Sequence, residues 1–267
     1  MIEDPIENPA AVLTAAAFGD APDRWPLPEA TDPHQRWLRA VAAGGQGRYA
    51  VAAAELAALL REVPAGPLAS LAHSTRGSFL RQLGGHDLAR GADGRALALA
   101  GGDHEADATA RADALVGLAA DALGVGRFAA SAALLNRVEP EQPSAPPRLA
   151  VRRHWVTAEL AMVTGDGATA VRNAERAVEL AADTMVRHRV KSQVVLAGAL
   201  CCAGTIDRAR VVAEAALEDT GRLGLIPLRW ALACMLADVG SASRTVEELR
   251  ALRDDAAALI RRRGGNW

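Results

Sequence analysis

Residues Trp37 to Pro64 read WLRAVAAGGQGRYAVAAAELAALLREVP. Gly47 divides two stretches of helical length, both rich in alanine and leucine, and Tyr49 follows it closely. The arrangement recurs at Gly84, Gly126, Gly165, Gly204 and Gly240, at intervals of 37, 42, 39, 39 and 36 residues. Self-similarity at such a period signals stacked helix pairs, in which no pair buries its apolar face without its neighbours. The expected fold is all-α, an α-solenoid of about six antiparallel helix pairs.

Aligned on these glycines, the six segments share further positions. Seven residues before the glycine stand Ala40, Gly77, Ala119, Ala158, Ala197 and Ala233, and five after it stand Ala52, Ala89, Ser131, Ala170, Ala209 and Thr245. Antiparallel helices approach to about 8 to 10 Å where the crossing side chains are small, so these columns mark the contact of first helix with second. Tyr49, Phe128 and Ile206 supply a large residue at the turn, and apolar residues from Leu59 to Leu252 stand twelve after the glycine. His86, Gly167 and Ala242 replace the turn aromatic, and Asp93-Gly94 is expected to interrupt the second helix of the second pair.

This pattern resembles the tetratricopeptide repeat family, with glycine and an aromatic at the turn, small residues at the crossing and proline at the repeat end. Gly47, Tyr49, Ala52, Leu56 and Pro64 carry the best match, and the resemblance spans about Thr31 to Arg263. An unrelated helical bundle is the competing reading.

Outside the repeats, residues 1–30 form an acidic extension with five prolines and room for one short helix near Ala10 to Phe18. Three pairs follow over 31–138, beginning at Asp32-Pro33, where aspartate can cap and proline suits the first turn. A proline-rich connector, 139–147 (EPEQPSAPP), is either a hinge or a stiff surface loop, and three further pairs occupy 148–267. A net charge of -2 gives no general pull toward nucleic acid or anionic membrane. No stretch approaches about 18 uninterrupted apolar residues, so no membrane helix is expected. The start is too acidic for a leader peptide.

Lys191 is the only lysine, which reads first as the codon bias of a high-GC bacterial genome and second as selection for guanidinium chemistry. Three cysteines are too few for a disulfide scaffold and fit a reducing cytoplasm. Cys201 and Cys202 read as small buried residues, and Cys201 and Cys234 lie on neighbouring first helices. Asp103, His104, Glu105 and Asp107 read as helix-capping acids rather than ligands. The Arg261-Arg262-Arg263 run is expected to satisfy the last helix's carbonyls. No catalytic or cofactor motif is recognisable, so no enzyme activity and no cofactor or metal is expected.

The resemblance implies that first helices line a concave face where peptides or partner segments bind. Ten residues before three of the glycines stand Trp37, Trp155 and Trp230, either as anchors in that groove or as packing between repeats. Arg152 and Lys191 share a position thirteen before their glycines, with Arg153, His154, Arg187, His188 and Arg189 close by and Arg81 on another first helix. They form either a positive strip beside Met162 or a solvated helix face. The carboxylate clamp of chaperone-binding relatives also needs asparagines, which are missing here. Two functions stand: a non-enzymatic protein-interaction module, adaptor or regulator, that takes an acidic peptide or partner segment, and a sensor of a peptide or small molecule. The acidic extension is itself a candidate occupant of the groove.

Overall fold

The computed structural model describes residues 8–101, 105–138, 145–181 and 183–266. Among them are thirteen α-helices and no strand: α1 (Pro9–Phe18), α2 (Pro33–Gly45), α3 (Tyr49–Glu62), α4 (Pro67–Gln82), α5 (His86–Leu99), α6 (Glu105–Gly124) and α7 (Phe128–Leu135) come first. α8 (Pro147–Val163), α9 (Gly167–Leu180), α10 (Val186–Cys202), α11 (Ile206–Arg222), α12 (Ile226–Val239) and α13 (Val246–Arg262) follow. No helix among these residues is long and apolar enough to cross a membrane.

The six glycines of the period all have positive φ, from 73° at Gly47 to 87° at Gly240. A side chain there would meet the following carbonyl, so glycine is what lets a helix stop and reverse, within three residues at the first five of these turns. Local signals start the helices where expected. Asp32 accepts the Gln35 amide at 2.8 Å with Pro33 opening α2, and Asp166 accepts the Thr169 amide at 2.9 Å to open α9.

Every helix packs on the next one along the chain, and each even-numbered helix from α2 to α12 also packs on the next even-numbered one. The small columns sit at these crossings: Ala40, Ala119, Ala158, Ala197 and Ala233 are fully buried, as are Ala52, Ala89, Ser131, Ala170 and Ala209. Leucines fill the space between crossings, with Leu59, Leu200, Leu217, Leu232 and Leu236 essentially inaccessible. Each such side chain contributes about 1.5–3 kcal/mol relative to exposure.

The C-terminal end returns to the beginning. The Ala50 amide donates to the Arg263 carbonyl at 2.9 Å, and Arg263 Nη1 donates to the Gln46 carbonyl at 2.8 Å. Ile260 is buried in the same apolar cluster as Leu38, Tyr49 and Leu56, and Ile226 and Trp230 pack against it. Arg263 therefore serves both ends: its amide donates to the Leu259 and Ile260 carbonyls of the last helix, and its side chain binds the first pair.

α1 packs on α2 and touches α10, burying Leu13, Ala16 and Ala17, and the Val186 amide donates to the Gly19 carbonyl at 3.2 Å. The segment after α1 is bound along the first pair. Gln46 Nε2 donates to the Pro22 and Arg24 carbonyls at 2.9 and 3.0 Å, and the Arg48 guanidinium lies 3.8 Å over the Trp25 ring.

Four sequence expectations are corrected. α5 runs unbroken through Asp93-Gly94, because the Asp93 side chain finds partners beneath the helix. The sixth pair departs from the ruler: α13 begins only at Val246, and exposed Thr245 caps it in a reciprocal bond with Glu248 instead of sitting at a crossing. Cys202 is exposed, since it points away from the core at the last turn of α10. α7 stops at Leu135, after which Arg137 and Val138 turn back on Leu134 and Leu135. Of the other motifs, Asp103, His104 and residues 139–144 lie outside the described residues, while Glu105 and Asp107 occupy the first turn of α6.

Candidate functional site

The even-numbered helices surround a cavity of about 380 Å³. Side chains from α2, α4, α6, α8, α10 and α12 all reach it, joined by Phe18 at the end of α1 and His86 at the head of α5. Six of the seven residues expected from the sequence line this space: Trp37, Arg81, Arg152, Trp155, Lys191 and Trp230. Met162 does not. It lies two turns further along α8 than Trp155 and packs into the apolar cluster of Ala158 and Leu200, beside Gly198.

The tryptophan column packs between helices and also reaches the cavity. Trp37 Nε1 donates to Thr75 Oγ1 on α4 at 2.9 Å, and Trp155 Nε1 donates to Ser192 Oγ on α10 at 2.8 Å. Each indole thus wedges between adjacent even-numbered helices with its donor satisfied, while part of its ring faces the cavity. Trp230 packs onto the cluster of the first pair, which lies beside α12 because the chain returns there.

Aromatic rings form two groups on the wall. Trp155 stacks on His188 at 5.6 Å between centroids and an interplanar angle of 19°. Phe18 lies 5.2 Å from Trp37 and 6.1 Å from His188, so the end of α1 joins the two groups. Burial first, and then the guanidiniums of Arg187, Arg148 and Arg152, hold the His188 pKa well below the usual histidine value. The ring is therefore neutral at pH 7.

The cations are arranged in depth. Arg81 is paired from behind by Asp93 and, at 2.8 Å, by Asp121, both carboxylates being fully buried. Burial pushes the Asp93 carboxyl up to about 6, even though Arg81 pulls the other way. Asp113 serves two guanidiniums at once: Arg148 Nη1 donates to it at 2.8 Å, and Arg152 pairs with its other oxygen. Lys191 Nζ lies 3.4 Å from Glu159 and 5.9 Å from the Trp155 ring centroid.

Arg187 stands apart. Its only hydrogen bond among the described residues is a long one, 3.4 Å, to the Ala17 carbonyl, and its Nε is buried without a partner. The side chain lies across α2 where Gly45 has none, since a Cβ there would come 2.8 Å from Arg187 Cδ. Burial pushes Arg148, Arg152 and Arg187 down to about 10, with neighbouring guanidinium charge adding to the effect at Arg152 and Arg187. All three remain protonated at neutral pH.

Sequence reasoning did not place Arg148 in the site, and it named Arg187 and His188 only as neighbours of the strip. A usable signal was present: Arg148, Arg152 and Trp155 recur at helical spacing on one face of α8. The remaining strip residues lie elsewhere. His154 bonds Asn173 on α9 at 2.9 Å, and Arg189 pairs with exposed Asp183. No model of a known protein family matches this chain, and no curated protein matches it at a significant level.

Proposed function

We propose that the chain is a non-enzymatic binding module of the tetratricopeptide-repeat-like kind. Its pairs, α2–α3 to α12–α13, form a six-pair solenoid, and it works as an adaptor or regulator through what the central cavity holds. The observation that carries this reading is that all six even-numbered helices meet at one cavity lined by aromatic and guanidinium groups. Concave, mostly apolar sites with a few convergent polar groups are the usual form of a binding site. The chemistry suits an acidic occupant, because arginine grips carboxylates and phosphates through paired hydrogen bonds. A bacterial cytoplasm is the setting the composition suggests.

A second reading, a sensor of a compact ligand, has its own support. Phe18 forms part of the wall and Arg263 ties the last pair to the first, so about 380 Å³ is a space of small-molecule size. In both readings Trp155 reports occupancy. Candidate occupants added to the full chain should change tryptophan fluorescence, and the change should be lost in Trp155→Leu with Lys191→Gln. Binding that survives this pair of substitutions undiminished would place the site elsewhere.

A further inference from the structure

We infer that the cavity is a receptor for a compact organic anion, one carrying a carboxylate or phosphate group on a flat apolar body. The inference rests on the cavity being the binding site and names the class of its occupant.

Five cations line the cavity: Arg81, Arg148, Arg152, Arg187 and Lys191. Among the described residues, four carboxylates answer them. Asp93 and Asp121 pair with Arg81, with Asp93 also attracting Arg152, Glu159 lies on Lys191, and Asp113 is divided between Arg148 and Arg152. Arg187 is left with a carbonyl and an unpartnered Nε. Of three guanidiniums from two adjacent helices, Arg148 and Arg152 therefore share one directly paired carboxylate and Arg187 pairs with none, in a partly desolvated space. Like charges repel more strongly away from bulk water, so the cluster by itself is unfavourable and an anion among its members relieves it. Groups carried on packed helices, with their partners fixed behind them, are preorganised for a ligand.

The remaining wall suits a flat apolar body. The Trp155–His188 stack offers one face, and Phe18 with Trp37 offers another, beneath the Arg148 guanidinium at 5.3 and 5.6 Å from their rings. His188 adds a ring nitrogen, Nδ1, that is buried and unpartnered. Being neutral, it can bond an anion or a polar substituent without contributing another charge. An extended acidic peptide fits less well, since α1 and the return of Arg263 to the first pair limit the space along which it would lie.

The test uses the full chain and four probes: benzoate, phenyl phosphate, the neutral isostere benzamide, and a hexaglutamate peptide. Thermal shift and calorimetry read binding, because a ligand that binds only the folded chain raises its melting temperature. Benzoate or phenyl phosphate should stabilise the chain, with the stronger of the two distinguishing a carboxylate from a phosphate source, and benzamide should not. Arg187→Gln should weaken the anion at least tenfold and Arg187→Lys less, while both variants melt at or above the parent temperature without ligand. Benzamide binding as well as benzoate, or an unchanged affinity in Arg187→Gln, would overturn the inference. Binding of hexaglutamate alone also overturns it and leaves the cavity as the binding site, whereas failure of every probe counts against both.

Discussion

The Asp93 carboxylate occupies the space that a side chain on Gly117 would need. Gly77 leaves the other half of the same space, so two glycines on α4 and α6 make the pocket in which Asp93 of α5 reaches Arg81. Gly117→Ala should therefore displace a buried ion pair and overpack a helix crossing, costing about 3 kcal/mol. Urea unfolding measures this, and a loss under about 1 kcal/mol would show that Asp93 has room to move.

Gly126 tests the turn separately from packing. Its φ is 75° and a Cβ there meets nothing within 4 Å, so only backbone strain opposes a side chain. Gly126→Ala should cost about 1–2 kcal/mol and Gly126→Asn less, because asparagine tolerates the left-handed region better. Equal losses in the two variants would remove the backbone explanation.

Charge balance around the cavity gives opposite effects for two neighbouring substitutions. Asp113→Asn leaves Arg148 and Arg152 without their shared carboxylate and should destabilise by about 3 kcal/mol. Arg187→Gln removes a charge that has no carboxylate and should leave the denaturant midpoint unchanged or raised. A clear loss in Arg187→Gln would mean that its aliphatic stem, packed across Gly45, matters more than its charge.

His188 sets a pH dependence. Its folded pKa lies well below the unfolded value of about 6.5, so the unfolded chain takes up the proton first as pH falls. The stability of the neutral ring is thus fully present above about 6.5 and declines below it, by about 1.4 kcal/mol at pH 5.5. His188→Gln lacks this term. The stability difference between parent and variant should shrink by that amount from pH 7.5 to 5.5, and a difference independent of pH would contradict the assignment.

Local features were legible in the sequence because each depends on residues close together in the chain. The glycine reversals, the small residues at the crossings and the even-helix tryptophans follow from spacing alone. What was missed depends on contacts between distant segments. Arg81 bonds acids 12 and 40 residues away, Arg263 bonds Gln46, and Arg187 lies against Gly45, so no periodic pattern reports them. The alanine-rich helices did carry one clue: Asp93, Asp113 and Asp121 are acids at buried positions, and a buried acid requires a partner. Met162 shares a helix with Trp155, but seven residues carry it about 10 Å along the axis and out of the cavity.

The cavity as the binding site is tested most directly by comparing substitutions on its wall with one on the outer surface. Leu88 is exposed on α5, outside the cavity, and Leu88→Ser serves as the control. Affinity for any ligand or partner segment that stabilises the parent should fall at least tenfold in Trp155→Leu and in Arg187→Gln and remain unchanged in Leu88→Ser. Affinity retained in both wall variants and lost in Leu88→Ser would contradict the account and move the site to the outer face.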